Sequence, residues 1–132
     1  MARMKLDAVS VTSRDFAGTV QFYELLGFSF PAFKPDAKHL EAITPEREVR
    51  LMIDDTELIK GIIGKQPVAS THSSFAIRCE TAADVDAAVA AIRHAGFIVV
   101  KEAWDAFWGQ RYAVVVDPDG NGVDLFAALP KT

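Results

Sequence analysis

The feature that most constrains the fold of this sequence is an internal repeat, because one order of secondary-structure signals occurs twice along the chain. Each copy begins with apolar residues that alternate with small or polar ones, which indicates a strand, and continues with apolar residues at helical spacing. The helical segment ends at Gly27-Phe28 in the first copy and at Gly96-Phe97 in the second. A glycine directly after a helix commonly supplies the left-handed residue that ends it. The matching breakpoints predict two modules of the same architecture.

Each half of the chain carries the signals for a strand, a helix and three further strands. The strands are predicted at 6–12, 28–33, 39–43 and 49–54 in the first half, and at 73–79, 97–102, 111–116 and 122–127 in the second. Asp15 is a suitable N-cap for the first helix, and Thr81 with Asp84 forms a capping-box pattern before the second. The stripe Val85, Val89 and Ile92 is predicted to be the buried side of the second helix.

This order predicts an α+β fold of two tandem βαβββ modules. The first module is assigned to 4–55, a connector with at most a short helical turn to 56–71, and the second module to 72–129, all within a single domain of 1–132. Each helix would cover one face of its sheet and leave the other bare. The bare faces carry small or polar residues: Ala8, Ser10, Ser74, Ala76 and Asp124. Two such curved sheets would enclose a cleft for a small molecule.

Composition narrows the classes of partner. The chain has 132 residues, half of them hydrophobic, which is enough for a core and argues against disorder. The net charge of −4 and the scattered basic residues argue against nucleic acid as a partner. No apolar stretch is long enough to cross a membrane, and the N-terminus has no apolar signal core. Cys79 is the only cysteine, which suits a reducing compartment, so we expect a cytoplasmic protein.

The opening and closing segments of the chain also carry a family resemblance. They are Ser13-Arg14-Asp15-Phe16 and Phe22-Tyr23-Glu24-Leu25-Leu26-Gly27-Phe28 at one end, and Trp108-Gly109-Gln110-Arg111, Asp117-Pro118-Asp119-Gly120-Asn121 and Asp124-Leu125-Phe126 at the other. From about residue 6 to residue 129 the chain resembles the vicinal oxygen chelate superfamily, which comprises glyoxalases, bleomycin-resistance proteins and dioxygenases. The resemblance implies paired βαβββ modules, usually a homodimer, a ligand cavity and, in the enzymes, a divalent metal held by His, Gln and Glu.

The metal positions implied by this resemblance are occupied by poor ligands. They fall on Ala8 in the first strand, on Leu51 or Met52 in the fourth, on Ser74 in the second module and on Asp124 in the last strand. A catalytic zinc, nickel or iron needs about three strong imidazole or carboxylate ligands. We therefore expect no metal and no cofactor, with a divalent metal as the alternative.

The histidines supply that alternative. His72 lies two residues before Ser74 and would become a ligand if the strand register slipped by two. His39 and Glu41 alternate on one predicted strand, and together with Asp124 they form the best rival metal site, although a solvated edge strand explains them more simply. His94 falls in the last turn of the second helix, where a cation interacts favourably with the helix dipole.

Three aromatic residues in one polar loop provide the argument for binding. Trp104, Phe107 and Trp108 lie between the second and third predicted strands of the second half. Stacking on a flat or cationic ligand and packing against a second subunit both explain them. Arg111 and Tyr112 alternate, so one of the two points inward; if that residue is Arg111, it could pair bidentately with a ligand carboxylate or phosphate.

The sequence thus favours a homodimeric, metal-free member of the superfamily, nearest to the bleomycin-resistance proteins, that sequesters a small organic molecule. The candidate ligand-binding residues are Ser74, Trp104, Phe107, Trp108, Arg111 and Asp124, with His39 and Glu41. No catalytic residue is identified, because no catalytic triad, nucleophile elbow or phosphate-binding loop is present. The alternative is an enzyme, a glyoxalase-type lyase or dioxygenase with displaced metal ligands.

Overall fold

The structure, a computed structural model, describes residues 3–70 and 74–131. Its elements are β1 (Ala8–Ser13), α1 (Phe16–Leu25), β2 (His39–Glu41), β3 (Arg50–Asp55), α2 (Thr56–Ile63), β4 (Phe75–Arg78), α3 (Ala82–His94), β5 (Ile98–Ala106), β6 (Gln110–Val116) and β7 (Gly122–Ala128). The chain divides after Val68 into two compact units, each with its own mixed sheet. The predicted α+β class with two repeated sheet-and-helix halves is confirmed.

The first unit has a three-stranded sheet in the order β1-β3-β2, with β1 parallel and β2 antiparallel to β3. One face of this sheet is buried and apolar, with Val11, Leu51 and Ile53 among its residues. Phe22 and Tyr23 of α1 are fully buried as well. The other face is mostly polar and partly exposed, and we call it the polar face; its residues are Ala8, Ser10, His39, Glu41, Arg50, Met52 and Asp54.

One predicted strand of the first half does not form. Segment 28–33 has no regular strand structure. The carbonyl of Ser29 in this segment accepts a hydrogen bond of 2.7 Å from the amide of Ile43. Pro31 has no amide hydrogen, and a proline within a strand removes a hydrogen bond of the ladder. The first sheet therefore has three strands where four were predicted.

The connector between the modules contains more structure than the sequence suggested. The carboxylate of Asp55 accepts hydrogen bonds from the amides of Glu57 and Leu58, at 3.0 and 3.4 Å, and so caps α2. Gly64 ends the helix in the left-handed conformation. Within the described residues, no helix combines the length and apolar character that a membrane crossing requires.

The second unit has a four-stranded sheet in the order β4-β7-β6-β5, with β4 parallel to β7 and the other pairs antiparallel. Helix α3 packs against β5, β6 and β7. Its residues Val85, Val89 and Ile92 are buried as predicted, together with Val115 and Leu125 of the sheet. Thr81 and Asp84 form the predicted reciprocal capping box. Strand β5 runs on to Ala106, so Trp104 lies in a strand and not in the loop predicted for it.

The turn before β7 is built around one buried carboxylate. Asp117, of which only 3% is exposed, accepts hydrogen bonds of 2.9 Å from the amides of Asp119 and Asn121, and its two oxygens accept bonds from the Asn121 side chain. Gly120 adopts a φ of 88°, which favours glycine. The turn therefore fixes where β7 begins.

We expect Asp117→Ala to lower the free energy of unfolding of the second unit by about 2 kcal/mol, because it leaves several partly buried donors without an acceptor. Both tryptophans lie in this unit, so urea unfolding followed by tryptophan fluorescence measures it. Glu80→Ala, which removes an exposed carboxylate of the same unit, is the control. Equal stability of the two variants would contradict the role assigned to this turn.

Candidate functional site

The face of the second sheet opposite α3 carries a row of aromatic side chains. Cross-strand register places Phe126 of β7 beside Tyr112 of β6, and Tyr112 beside Trp104 of β5. The rings of Phe126 and Tyr112 are stacked with centroids 6.2 Å apart, and Trp104 meets Tyr112 edge to face at 5.6 Å. Arg78 of β4 ends the row, with its guanidinium carbon 5.9 Å from the Phe126 centroid. We call this surface the aromatic face.

The hairpin turn after β5 adds two rings. Trp108 contacts both Trp104 and Tyr112 edge to face, with centroids 6.0 and 5.4 Å apart. Its indole nitrogen donates a hydrogen bond of 2.9 Å to the side chain of Gln110. Phe107 lies 5.0 Å from Trp108 and is 97% exposed. The structure therefore brings Trp104, Phe107 and Trp108 together, as one group continuous with the strand residues.

A half-buried carboxylate lies beside the aromatic row. Tyr112 donates its hydroxyl proton to Oδ2 of Asp124 at 2.5 Å, and Ser74 donates to Oδ1 at 3.4 Å. Burial, followed by the hydrogen bond to Asp124, raises the pKa of Tyr112 to about 12. Tyr112 therefore keeps its proton at neutral pH and acts as a donor that holds the carboxylate in place.

Arg111 does not belong to this face. It lies on the side of α3, where Nε and Nη2 donate to the carboxylate of Asp86 at 3.0 and 2.9 Å, and Nη1 donates to Asp105 at 3.0 Å. Successive strand residues point to opposite faces, so Tyr112 lies on the face opposite α3. Arg111, which the sequence suggested as a ligand-binding residue, therefore lies apart from the aromatic face and pairs with carboxylates of the chain itself.

The polar face of the first sheet holds a histidine between two carboxylates. His39 Nδ1 lies 2.6 Å from Oδ1 of Asp54, and Nε2 lies 3.0 Å from Oε2 of Glu41. The hydroxyl of Ser10 donates to the other oxygen of Asp54. Hydrogen bonds to Asp54 and then to Glu41 raise the pKa of His39 above its ordinary value of 6.5. Both ring nitrogens can donate only in the protonated form.

Glu41 is shared between His39 and an arginine. Arg50 donates to Glu41 at 2.5 Å and to Asp7 at 2.8 Å. The hydrogen bonds from His39 and then from Arg50 lower the pKa of Glu41. His39 and Glu41 therefore belong to a network of paired charges within the first unit.

Two residues of these surfaces were not predicted from the sequence. Asp54 shares a face with Met52, at which a ligand was considered, and lies opposite His39 in the β2–β3 register. Phe126 lies two residues after Asp124 and so on the same face of β7. Strand alternation is the signal that could have identified both.

The residues at the implied metal positions do not fit a divalent metal. Ala8 offers a methyl group, Leu51 is buried in the core and Met52 offers only a thioether. The cross-strand partners of Asp124 are Ala76 and Val114, which carry no donor atom.

Among the described residues, no group of three or more His, Cys, Asp or Glu side chains is arranged to hold a metal ion. His39 and Glu41 lie in the first unit and Asp124 in the second. The histidine pairs with carboxylates of the first unit, whereas Asp124 accepts its hydrogen bond from Tyr112 in the second. His72, the residue of the register-slip alternative, lies outside the described residues.

Comparisons with known proteins agree with this architecture. The sequence profile of the Glyoxalase/Bleomycin resistance protein/Dioxygenase superfamily matches residues 5–125. No protein of curated function matches the sequence. A glyoxalase/bleomycin resistance protein/dioxygenase from Nocardioides is 20% identical, with 100% of this chain and 88% of that chain covered and a TM-score of 0.72.

Two further solved structures are similar. A glyoxalase-related enzyme from Fulvimarina pelagi is 15% identical, with 95% of this chain and 88% of that chain covered and a TM-score of 0.80. TnmS3, an antibiotic binding protein from Streptomyces sp. CB03234, is 25% identical, with 97% of this chain and 98% of that chain covered and a TM-score of 0.66. The profile match spans most of the sequence, and the chain therefore belongs to the glyoxalase/bleomycin resistance protein/dioxygenase superfamily.

Proposed function

We propose that this protein binds a small organic molecule on the aromatic face and sequesters it without metal catalysis. The main support for the proposal is the continuous row of Phe126, Tyr112 and Trp104, which lies beside the hydrogen-bonded carboxylate of Asp124. A mostly apolar surface with a few fixed polar groups is the usual composition of a small-molecule site.

Exposure of the turn rings supports this proposal. Phe107 is 97% exposed and Trp108 is 47% exposed, so both present apolar area to water next to the row. Covering apolar area with a ligand lowers the free energy by about 25 cal/mol for each Å² removed from water. The similarity to TnmS3, which is described as an antibiotic binding protein, agrees with a binding role for this chain.

Binding without a metal follows from donor chemistry. Asp124 is the one strong ligand among the implied metal positions, and Tyr112 and Ser74 already donate to it. Sequestration of this kind uses ring stacking, desolvation and one fixed acceptor. It involves no bond-making step.

The assembly and location that accompany this function are also proposals. We expect a homodimer, as the family resemblance implies, and exposed Ile98 and Val100 on edge strand β5 offer apolar area for a second subunit. Contact with that subunit is the competing use of Phe107 and Trp108. We expect a cytoplasmic location because the chain has one cysteine, and neither nucleic acid nor a membrane is an expected partner.

A metal-dependent lyase or dioxygenase with displaced ligands is the competing function. His39 beside Glu41 is the observation in its favour, because an imidazole and a carboxylate are common metal ligands. Asp54 and Arg50, however, already pair with these two side chains. A metal would have to break that network, which is why sequestration is the better supported proposal.

We expect Trp104→Ala and Trp108→Ala each to weaken binding of planar aromatic probes by about tenfold, because each variant removes a stacking surface. Isothermal titration with proflavine, a planar aromatic cation, and with anthracene-2-carboxylate, a planar anion, measures the affinities. Ile62→Ala, which shortens an exposed side chain of α2, is the control and should bind as the unaltered protein does. Unchanged affinity in both tryptophan variants would show that the aromatic face is not the binding site.

We expect Zn²⁺, Ni²⁺, Mn²⁺ and Fe²⁺ to bind no more tightly than about millimolar, since fewer than three strong ligands converge at the implied positions. Treatment with EDTA should leave the affinity for aromatic probes unchanged. Calorimetric titration of the metal-free protein provides the measurement. Stoichiometric micromolar binding that Asp124→Ala or His39→Gln abolishes would favour the lyase or dioxygenase.

We propose that the His39 network serves to hold β2 against β3, and this role predicts a pH dependence. A histidine whose pKa is raised by folding stabilises the fold fully below pH 6.5 and loses that contribution as the pH rises through the folded pKa. Asp54→Asn should lower the pKa of His39 more than Glu41→Gln does, because Asp54 makes the larger contribution. An NMR titration of the imidazole protons measures both shifts, and a His39 pKa at or below 6.5 in the unaltered protein would contradict the network.

A further inference from the structure

Asp124 is surrounded in a way that suits one organic partner better than a metal. Its cross-strand neighbours are Ala76 on β4 and Val114 on β6, neither of which offers a donor or acceptor side chain. Tyr112 and Ser74 each use one lone pair of the carboxylate, and a carboxylate has about four. The group can therefore accept another hydrogen bond, but no second strong ligand stands across the ladder to share a metal ion.

The rings beside Asp124 already attract positive charge. Lys101 places its ammonium group 5.0 Å from the centroid of Trp104, and the guanidinium carbon of Arg78 lies 5.9 Å from the centroid of Phe126. Both distances lie within the range of cation–π attraction, about 6 Å. Two rings of this surface, those of Trp104 and Phe126, therefore already accept cations of the chain itself.

The geometry of the row indicates the shape of the partner. Phe126, Tyr112 and Trp104 come from three neighbouring strands, and strands are spaced about 4.8 Å apart. The planes of Phe126 and Tyr112 are 26° apart, whereas Trp104 stands edge-on to Tyr112 at 65°. A flat molecule of two or three fused rings could therefore stack on the first pair and meet Trp104 at its edge. Asp124 lies two residues before Phe126 on the same face of β7, about 7 Å along the strand.

We propose that the ligand of the aromatic face is a planar aromatic cation whose charged nitrogen pairs with Asp124, a statement that rests on the function proposed above. Asp124, which stands at a metal-ligand position of the family, then serves this chain as the counter-ion of an organic cation. A single carboxylate with ring faces beside it is sufficient for an organic ammonium group, whereas a divalent metal needs further ligands.

The test compares two planar probes of opposite charge, proflavine and anthracene-2-carboxylate, by isothermal titration. The unaltered protein should bind proflavine more tightly. Asp124→Asn should weaken proflavine binding about tenfold or more, because the negative charge that pairs with the ligand cation is lost. The same variant should leave or improve the affinity for anthracene-2-carboxylate. Glu80→Gln, which removes one exposed negative charge from the same unit, is the matched control and should change neither affinity.

Lys101→Gln keeps the inference testable if Asp124→Asn does not fold. Lys101 is exposed, and its ammonium group competes with a ligand cation for the ring of Trp104. Its replacement should tighten proflavine binding by about twofold or more, since one repulsive charge and one competitor are removed. Weaker or unchanged proflavine binding in this variant would count against the inference.

The possible results distinguish the claim that the ligand is a cation from the claim that the aromatic face is a binding site. Preferential binding of the anionic probe would contradict the proposal that the ligand is a cation. Proflavine binding that Asp124→Asn leaves unchanged would contradict it as well. Both results would still agree with a binding site on the aromatic face. Binding of neither probe, or binding that survives both Trp104→Ala and Trp108→Ala, overturns the proposed site itself. Proflavine preference that disappears in Asp124→Asn supports both statements.

Discussion

The hydrogen bond from Tyr112 to Asp124 is the interaction that organises the candidate site. It connects β6 to β7 on the face opposite α3, at 2.5 Å, and leaves Tyr112 with its ring stacked on Phe126. With its pKa raised to about 12, the phenol remains a donor across the physiological range, so the carboxylate keeps one orientation. A site prepared in this way loses little side-chain entropy when a ligand arrives.

The strand register determines whether Tyr112 and Asp124 lie on the aromatic face. Because side chains alternate between the two faces, a slip of one residue would exchange Tyr112 for Arg111 and Asp124 for a buried neighbour. Two devices fix the register: the turn built on Asp117, and the core residues that α3 covers. The ion pairs of Arg111 with Asp86 and Asp105, on the opposite face of the sheet, favour the same register. The aromatic face is thus a product of the core behind it.

Much of the fold was predictable from local sequence signals. The capping box at Thr81 and the buried stripe of α3 depend on residues close together in the chain, and the structure contains both. The absence of a strand at 28–33 was not predicted, because hydrophobic alternation says nothing about which amides find a partner. The pairing of His39 with Asp54 depends on cross-strand register, which a single sequence does not reveal. The same holds for the side of the sheet on which Arg111 lies.

Residue-resolved NMR can show directly whether a small molecule binds to the aromatic face. Amide and indole signals of the protein labelled with ¹⁵N would be followed during addition of proflavine. We expect the largest shifts at the Trp104 and Trp108 indoles and along β6 and β7 around Tyr112 and Asp124. Shifts concentrated on the polar face around His39, or spread over α2, would contradict this expectation.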